Sequence, residues 1–130
     1  MEGFYVSLDK GVTWQLRSNK PNILGSSPDG SDDGGQAWYD LAVAVSPYNS
    51  NIVYIGGVNL WRSADQGRTW QIVGHWTGSG APYIHADIHD LEFRPGTDEL
   101  FVGCDGGLYR KKENETQWQP LNNGLAIMQF

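Results

Sequence analysis

The sequence holds a single cysteine, Cys104, in 130 residues, so no disulfide can close within the chain and no multi-cysteine zinc site can be built. Basic residues are also few. Nine Lys and Arg against fifteen Asp and Glu leave a formal net charge of -6 and a pI near 4.8. With no run of Lys or Arg to make a local positive field, no nucleic-acid partner is expected. No apolar run approaches the roughly 20 residues that cross a bilayer as a helix, so no membrane span is expected either. Met1-Glu2-Gly3 leads directly into a strand pattern, which places any secretion signal outside the chain.

What the sequence does have is glycine, 17 residues, and tryptophan, six, within a composition that is 39% hydrophobic and 18% charged. That is the make-up of a globular domain. The glycines and tryptophans fall into an internal repeat, the signature of an array of like structural units. Phe4 to Trp14 aligns with Leu60 to Trp70 at every fixed position of the pattern S-x-D-x-G-x-T-W. The matching residues are Ser7, Asp9, Gly11, Thr13 and Trp14 in one copy, and Ser63, Asp65, Gly67, Thr69 and Trp70 in the other. A third copy, Leu108 to Trp118, keeps Tyr109 and Trp118 but carries Lys111, Glu113, Glu115 and Gln117 at the polar positions.

The spacing sets the size of one unit. Pro47 to Pro95, Trp61 to Tyr109 and Trp70 to Trp118 are all separated by 48 positions, whereas Trp14 and Trp70 are 56 apart. The additional residues fall between Ser18 and Tyr39, which reads as a loop insertion. Within a unit, Leu41 to Val45, Ile52 to Ile55, Leu60 to Ser63 and Trp70 to Val73 are short apolar stretches bounded by turn residues. Leu91 to Phe93, Leu100 to Val102, Leu108 to Arg110 and Trp118 to Leu121 repeat the series. Four short strands in each unit of 40 to 50 residues is the pattern of a propeller blade. The expected fold is all-β, a partial β-propeller with two full four-stranded blades plus a half blade and one further strand. Residues 3–16 make the half blade, 41–74 and 89–122 the two blades, and 125–130 the first strand of the next.

The third and fourth strands of a blade are joined by the S-x-D-x-G-x-T-W hairpin. Gly67 supplies a backbone angle that other residues avoid, Asp65 can accept from the amides of its own loop, and Ser63 and Thr69 add hydroxyl partners. Asp9 and Asp65 are therefore expected to be structural rather than catalytic or calcium-binding. Trp70 is expected to pack between sheets.

On these two complete motifs the chain resembles the Asp-box (BNR) repeat propellers, a group that includes sialidases, xyloglucanases and the sortilin ectodomain. Gly35 to Leu41, Tyr54 to Gly57, His85 to Leu91 and Asp105 to Tyr109 further resemble large secreted proteins of Bacteroidetes-type bacteria, which commonly end in a sorting domain. The resemblance implies a bacterial secreted or cell-surface location. The R-I-P motif that accompanies sialidase chemistry is absent, so sialidase activity is not expected.

Propellers close with about four to eight blades. A chain with two and a half is expected to be an excerpt whose partners are the remaining blades of a parent polypeptide; head-to-tail association of copies is the alternative.

Propeller ligands meet the loops that precede the innermost strands. Residues 25–35 and 77–90 are the long loops in those places. Trp38, Tyr39, Asp40, His85, Asp87, His89, Asp90 and Asp105 are the candidate ligand-binding residues. His85, Asp87 and His89 alternate, so an extended chain would project all three to one side. There they would form a polar network, contact a ligand or hold a metal. Asp29, Asp32 and Asp33 lie among glycines without the spacing of an EF-hand, and read as a solvated flexible loop. No cofactor and no metal are expected, a divalent cation such as calcium being the alternative.

The functional expectation is a binding or interaction scaffold for a polysaccharide or a cell-surface protein. The alternative is a xyloglucanase-like glycoside hydrolase acting through paired carboxylates drawn from Asp40, Asp87, Asp90 and Asp105.

Overall fold

A computed structural model describes residues 2–127. Ten strands follow one another: β1 (Phe4–Val6), β2 (Gln15–Ser18), β3 (Ala42–Val45), β4 (Val53–Gly56), β5 (Leu60–Ser63), β6 (Gln71–Gly74), β7 (Ile88–Phe93), β8 (Leu100–Cys104), β9 (Gly107–Lys111) and β10 (Gln119–Pro120). All neighbours pair antiparallel, in a two-stranded sheet β1-β2 and two four-stranded meanders, β3-β4-β5-β6 and β7-β8-β9-β10. The fold is all-β, a partial β-propeller.

The side-chain alternation of a strand decides which residues face which neighbouring sheet. In β3, Ala42 and Ala44 are buried toward the third sheet while Val43 and Val45 are exposed on the other face. The middle strands of the second sheet are buried on both faces. Tyr54 and Leu60 join Ile88, Leu91, Leu100, Val102, Tyr109 and Trp118 in the core shared with the third sheet. Ile55 and Trp61 join Ile23, with Phe4 and Trp70 packed alongside, in the core shared with the first.

Inner strands of adjacent sheets come close enough to require glycine. A Cβ on Gly56 would lie 2.4 Å from Cγ2 of Ile88. One residue further on, the Ile88 amide donates to the Gly57 carbonyl at 2.9 Å, so β7 is tied to the β4–β5 turn across the sheet boundary.

One expectation is revised: of the aspartates read as a solvated flexible loop, Asp33 is exposed, but Asp29 and Asp32 accept hydrogen bonds within a turn system that packs on the core. Ile23 is 2% exposed, Asn22 is buried, and the Asp32 carboxylate accepts from the amides of Ser26 at 2.7 Å and Ser27 at 3.3 Å. Residues 125–127 carry no strand, and the rest of the strand expected over 125–130 lies outside the described residues.

Candidate functional site

The two S-x-D-x-G-x-T-W hairpins show how their carboxylates are used. Ser63 Oγ donates to Asp65 Oδ1 at 2.8 Å and accepts from the Gly67 amide at 2.8 Å. Asp65 also accepts from the Arg68 amide at 3.0 Å, the Thr69 amide at 2.9 Å and Thr69 Oγ1 at 2.7 Å. Asp9 repeats the pattern with Ser7 Oγ at 2.8 Å, the Thr13 amide at 2.8 Å and Thr13 Oγ1 at 2.6 Å. Gln66 and Gly67 take φ angles of 60° and 81°, and a Cβ on Gly67 would strike the Phe4 ring, so glycine is needed there twice over. The Thr13 hydroxyl, the Thr13 amide and Ser7 hold the Asp9 carboxyl down at about 2. Around Asp65, burial pushes the carboxyl upward but the bonds from Thr69, Ser63 and Arg68 together outweigh it, leaving it also at about 2. Both carboxylates have their hydrogen-bonding capacity taken up inside their own turns.

A different cluster forms at the end of the sheets where β3 and β7 begin and the β8–β9 turn lies. Tyr39 precedes β3, His89 belongs to β7, and Asp105 occupies the β8–β9 turn. The Tyr39 hydroxyl donates to Asp105 Oδ2 at 3.1 Å, and His89 Nε2 donates to Asp105 Oδ1 at 2.8 Å. The Tyr39 and His89 rings stand edge to face with centroids 5.0 Å apart. A carboxylate only accepts, so Nε2 carries the proton and Nδ1 is the unprotonated nitrogen of a neutral His89. The Asp105 side chain is only 13% exposed, yet neighbouring groups from two blades meet on it.

Beneath this cluster lies a carboxylate pair bridged by an amide. Gln36 Nε2 donates to Asp87 Oδ1 at 2.6 Å and to Asp40 Oδ2 at 3.2 Å. Asp40 is 1% exposed, and its Oδ1 has no hydrogen-bond partner among the described residues. Burial raises the Asp40 carboxyl above its ordinary value and the nearby Asp87 charge adds to the rise, against the opposing bond from Gln36.

The structure corrects the expectation that His85, Asp87 and His89 project together. Asp87 sits at φ 63°, which breaks the extended run, and a bulge separates Ile88 from Asp90. The three side chains consequently part. His85 Nδ1 meets the Ala86 carbonyl and its ring packs on Gly106, Asp87 turns to Gln36, and His89 turns to Asp105. Among the described residues no three His, Cys, Asp or Glu side chains converge as a metal site would require. Of the other candidates, Asp90 is exposed on β7, and Trp38 is 86% exposed beside Tyr39, the two rings tilted at 5.9 Å.

Gln36 and Asn59 were not candidates from the sequence. Asn59 is fully buried and donates through Nδ2 to the carbonyls of Gly25 and Ser26, which pins the insertion to the β4–β5 turn. No local pattern marks either residue, because the Asn59 side chain bonds carbonyls 33 and 34 positions away and Gln36 reaches Asp87 51 positions away as well as the nearby Asp40.

No family model matches the chain. It is similar to a xyloglucanase of Hypocrea jecorina (strain QM6a), with 38% identity over 77 residues, which make up 57% of this chain and 8% of that protein. Among solved structures it superposes on an ancestral GH74 enzyme with a TM-score of 0.61 and 21% identity, over 92% of this chain and 15% of the other. The chain therefore spans a small part of the length of each, and the likeness establishes an all-β fold of β-propeller type.

Proposed function

We propose that this chain belongs to a secreted, glycoside-hydrolase-related propeller of the Asp-box type, and that its mouth cluster holds a polysaccharide. The observation that carries the reading is Asp105, gripped from two blades by Tyr39, which precedes β3, and His89 of β7. Such an array offers the remaining lone pairs of the Asp105 carboxylate, a phenol oxygen and the second imidazole nitrogen of His89, which together suit sugar hydroxyls that both donate and accept. The Asp-box assignment is supported by the bonds to the amide and hydroxyl of the following threonine that Asp9 and Asp65 share. The similarity to a xyloglucanase supports a plant-type β-glucan as the first polymer to try. A polymer of that size is met outside the cell, which supports secretion.

The test is titration of the full chain with xyloglucan, followed by calorimetry. Asp105→Asn and His89→Ala should each weaken binding about tenfold, the loss of roughly 1.4 kcal/mol, with the melting temperature within a few degrees of wild type. Absence of binding to xyloglucan and to other soluble β-glucans would defeat the proposal.

One observation favours a second reading, hydrolysis, namely the xyloglucanase relative itself. Paired-carboxylate cleavage needs two carboxyls about 5 to 9.5 Å apart and open to substrate. Asp40 is buried, Asp87 is engaged by Gln36, and both oxygens of Asp105 are in use, so only Asp90 stands open. Release of reducing ends by the wild type, lost in Asp105→Asn while binding persists, would favour hydrolysis over holding.

A further inference from the structure

The insertion between β2 and β3 makes a second surface feature, next to the mouth cluster but built from different groups. A hollow of about 300 Å³ has Trp38 and the 33–35 segment among its walls, with Leu24 and Ala37 also lining it. Both walls are held in place. Trp38 rides on a turn closed by the amides of Tyr39 and Asp40, which donate to the Gln36 carbonyl at 2.7 and 3.1 Å. The 33–35 segment is drawn in by Asn22, whose Nδ2 donates to the carbonyls of Asp32 at 2.9 Å and Gly34 at 2.7 Å, next to the core residue Ile23.

We infer that this hollow is a subsite for one uncharged pyranose unit of a polysaccharide, stacked on the indole of Trp38. The inference rests on the polysaccharide reading above and extends it to the class of glycan. The chemistry selects the ligand as follows. Trp38 presents most of its indole to water on an ordered turn, a flat apolar face that suits the C–H face of a sugar ring. At the hollow's rim the Asp33 carboxylate and the amides of Gly34 and Gly35 have no hydrogen-bond partners among the described residues. An apolar ligand would leave one acceptor and two donors unmet. An anionic ligand would meet Asp33 in a chain of net charge -6. A neutral ring rich in hydroxyls satisfies the carboxylate, the amides and the indole together. Because Trp38 and Tyr39 are adjacent, a glycan seated here continues directly toward Asp105.

Calorimetric titration of the full chain with xyloglucan oligosaccharides, and in parallel with oligogalacturonates as acidic counterparts, tests this. Trp38→Ala should weaken the neutral oligosaccharides about tenfold or more, and Asp33→Asn should weaken them severalfold. The indole N–H resonance of Trp38 should shift during the wild-type titration, a readout independent of affinity. Trp38 is mostly in solvent, so its removal does not endanger the fold. If Trp38→Ala binds within twofold of wild type while Asp105→Asn has lost affinity, the subsite is overturned and the mouth reading stands. Acidic oligosaccharides bound as tightly as neutral ones would overturn the assignment to uncharged glycans. No binding by the wild type overturns both readings.

Discussion

The indole N–H of Trp118 donates to the backbone carbonyl of Val73 at 2.8 Å, so the residue that opens the last strand of one sheet is fastened to the last strand of the sheet before it. Trp70 stands in the same relation to the first sheet, donating to Ser18 Oγ at 2.9 Å and meeting Phe4 edge to face at 5.1 Å. Trp14 occupies the equivalent place in β1-β2 and is 63% exposed. The repeated tryptophan is thus a fastener between blades, and its contribution depends on having a sheet to fasten to.

The three tryptophans should accordingly rank in stability. Trp118→Ala should cost about 3 to 5 kcal/mol, Trp70→Ala somewhat less because it is half-buried, and Trp14→Ala under about 1 kcal/mol. Urea unfolding of the three variants measures this. Equal costs at Trp14 and Trp118 would contradict the fastener account.

The hairpin carboxylates Asp9 and Asp65 should titrate well below ordinary aspartates. With Asp65 at about 2 in the folded chain against 3.8 for the unperturbed group, its stabilising contribution is present above pH 3.8 and is lost as pH falls toward 2. Asp9 follows the same direction in the same window. Carboxyl carbon shifts followed by NMR should give midpoints near 2 for both. Asp65→Ala should leave the amides of Arg68 and Thr69 without their acceptor and lower stability by about 1 to 3 kcal/mol. A variant of unchanged stability that loses glycan binding would show that the turn carboxylate has a ligand role after all.

The strands and hairpins were legible because their signals are local. Apolar residues at period two, turn residues between them, and a motif whose hydrogen bonds all close within a few positions leave their mark directly in the chain. The mouth was legible only by position. Tyr39, His89 and Asp105 do come together, but the alternation of His85, Asp87 and His89 misled, since nothing local announces the left-handed backbone at Asp87. The order of the insertion was equally hidden. It depends on Asn59 and on Asn22, whose partners are set by tertiary structure rather than by neighbours in sequence.

Strand β1 should make the 130-residue chain self-associate. Among the described residues it pairs with β2 alone, whereas β5 and β9, the equivalent strands, are flanked on both sides. Next to its open edge, a largely apolar hollow is lined by Tyr5, Leu8, Trp14, Val43 and Val45, all exposed. An unpaired edge beside an apolar surface invites pairing with another chain. Light scattering should report species larger than a monomer at micromolar concentration, and Tyr5→Lys together with Val43→Lys should shift them toward monomer. A monodisperse wild-type monomer would refute this.

Asp40 supplies the last prediction, because its position separates the charge of a carboxyl from its shape. Its Oδ1 is buried without a partner among the described residues, and its carboxyl is raised above the ordinary value of 3.8. A carboxyl raised in the folded state binds its proton more tightly there than in the unfolded chain. Its ionisation therefore opposes folding, and stability from this group declines as pH rises through the interval between 3.8 and the higher folded value. Asp40→Asn removes that charge while keeping an acceptor for Gln36 Nε2. At neutral pH it should leave the melting temperature equal to or above wild type, whereas Asp40→Ala, which opens a void and removes one of the two acceptors of the Gln36 amide, should lower it by several degrees. Thermal unfolding of both variants at pH 4 and pH 7 decides the matter, since the advantage of Asn over Asp should shrink at the lower pH. If Asp40→Asn were instead as damaging as Asp40→Ala at both pH values, the ionised carboxylate would be stabilising the mouth, and the burial account of its raised value would fail.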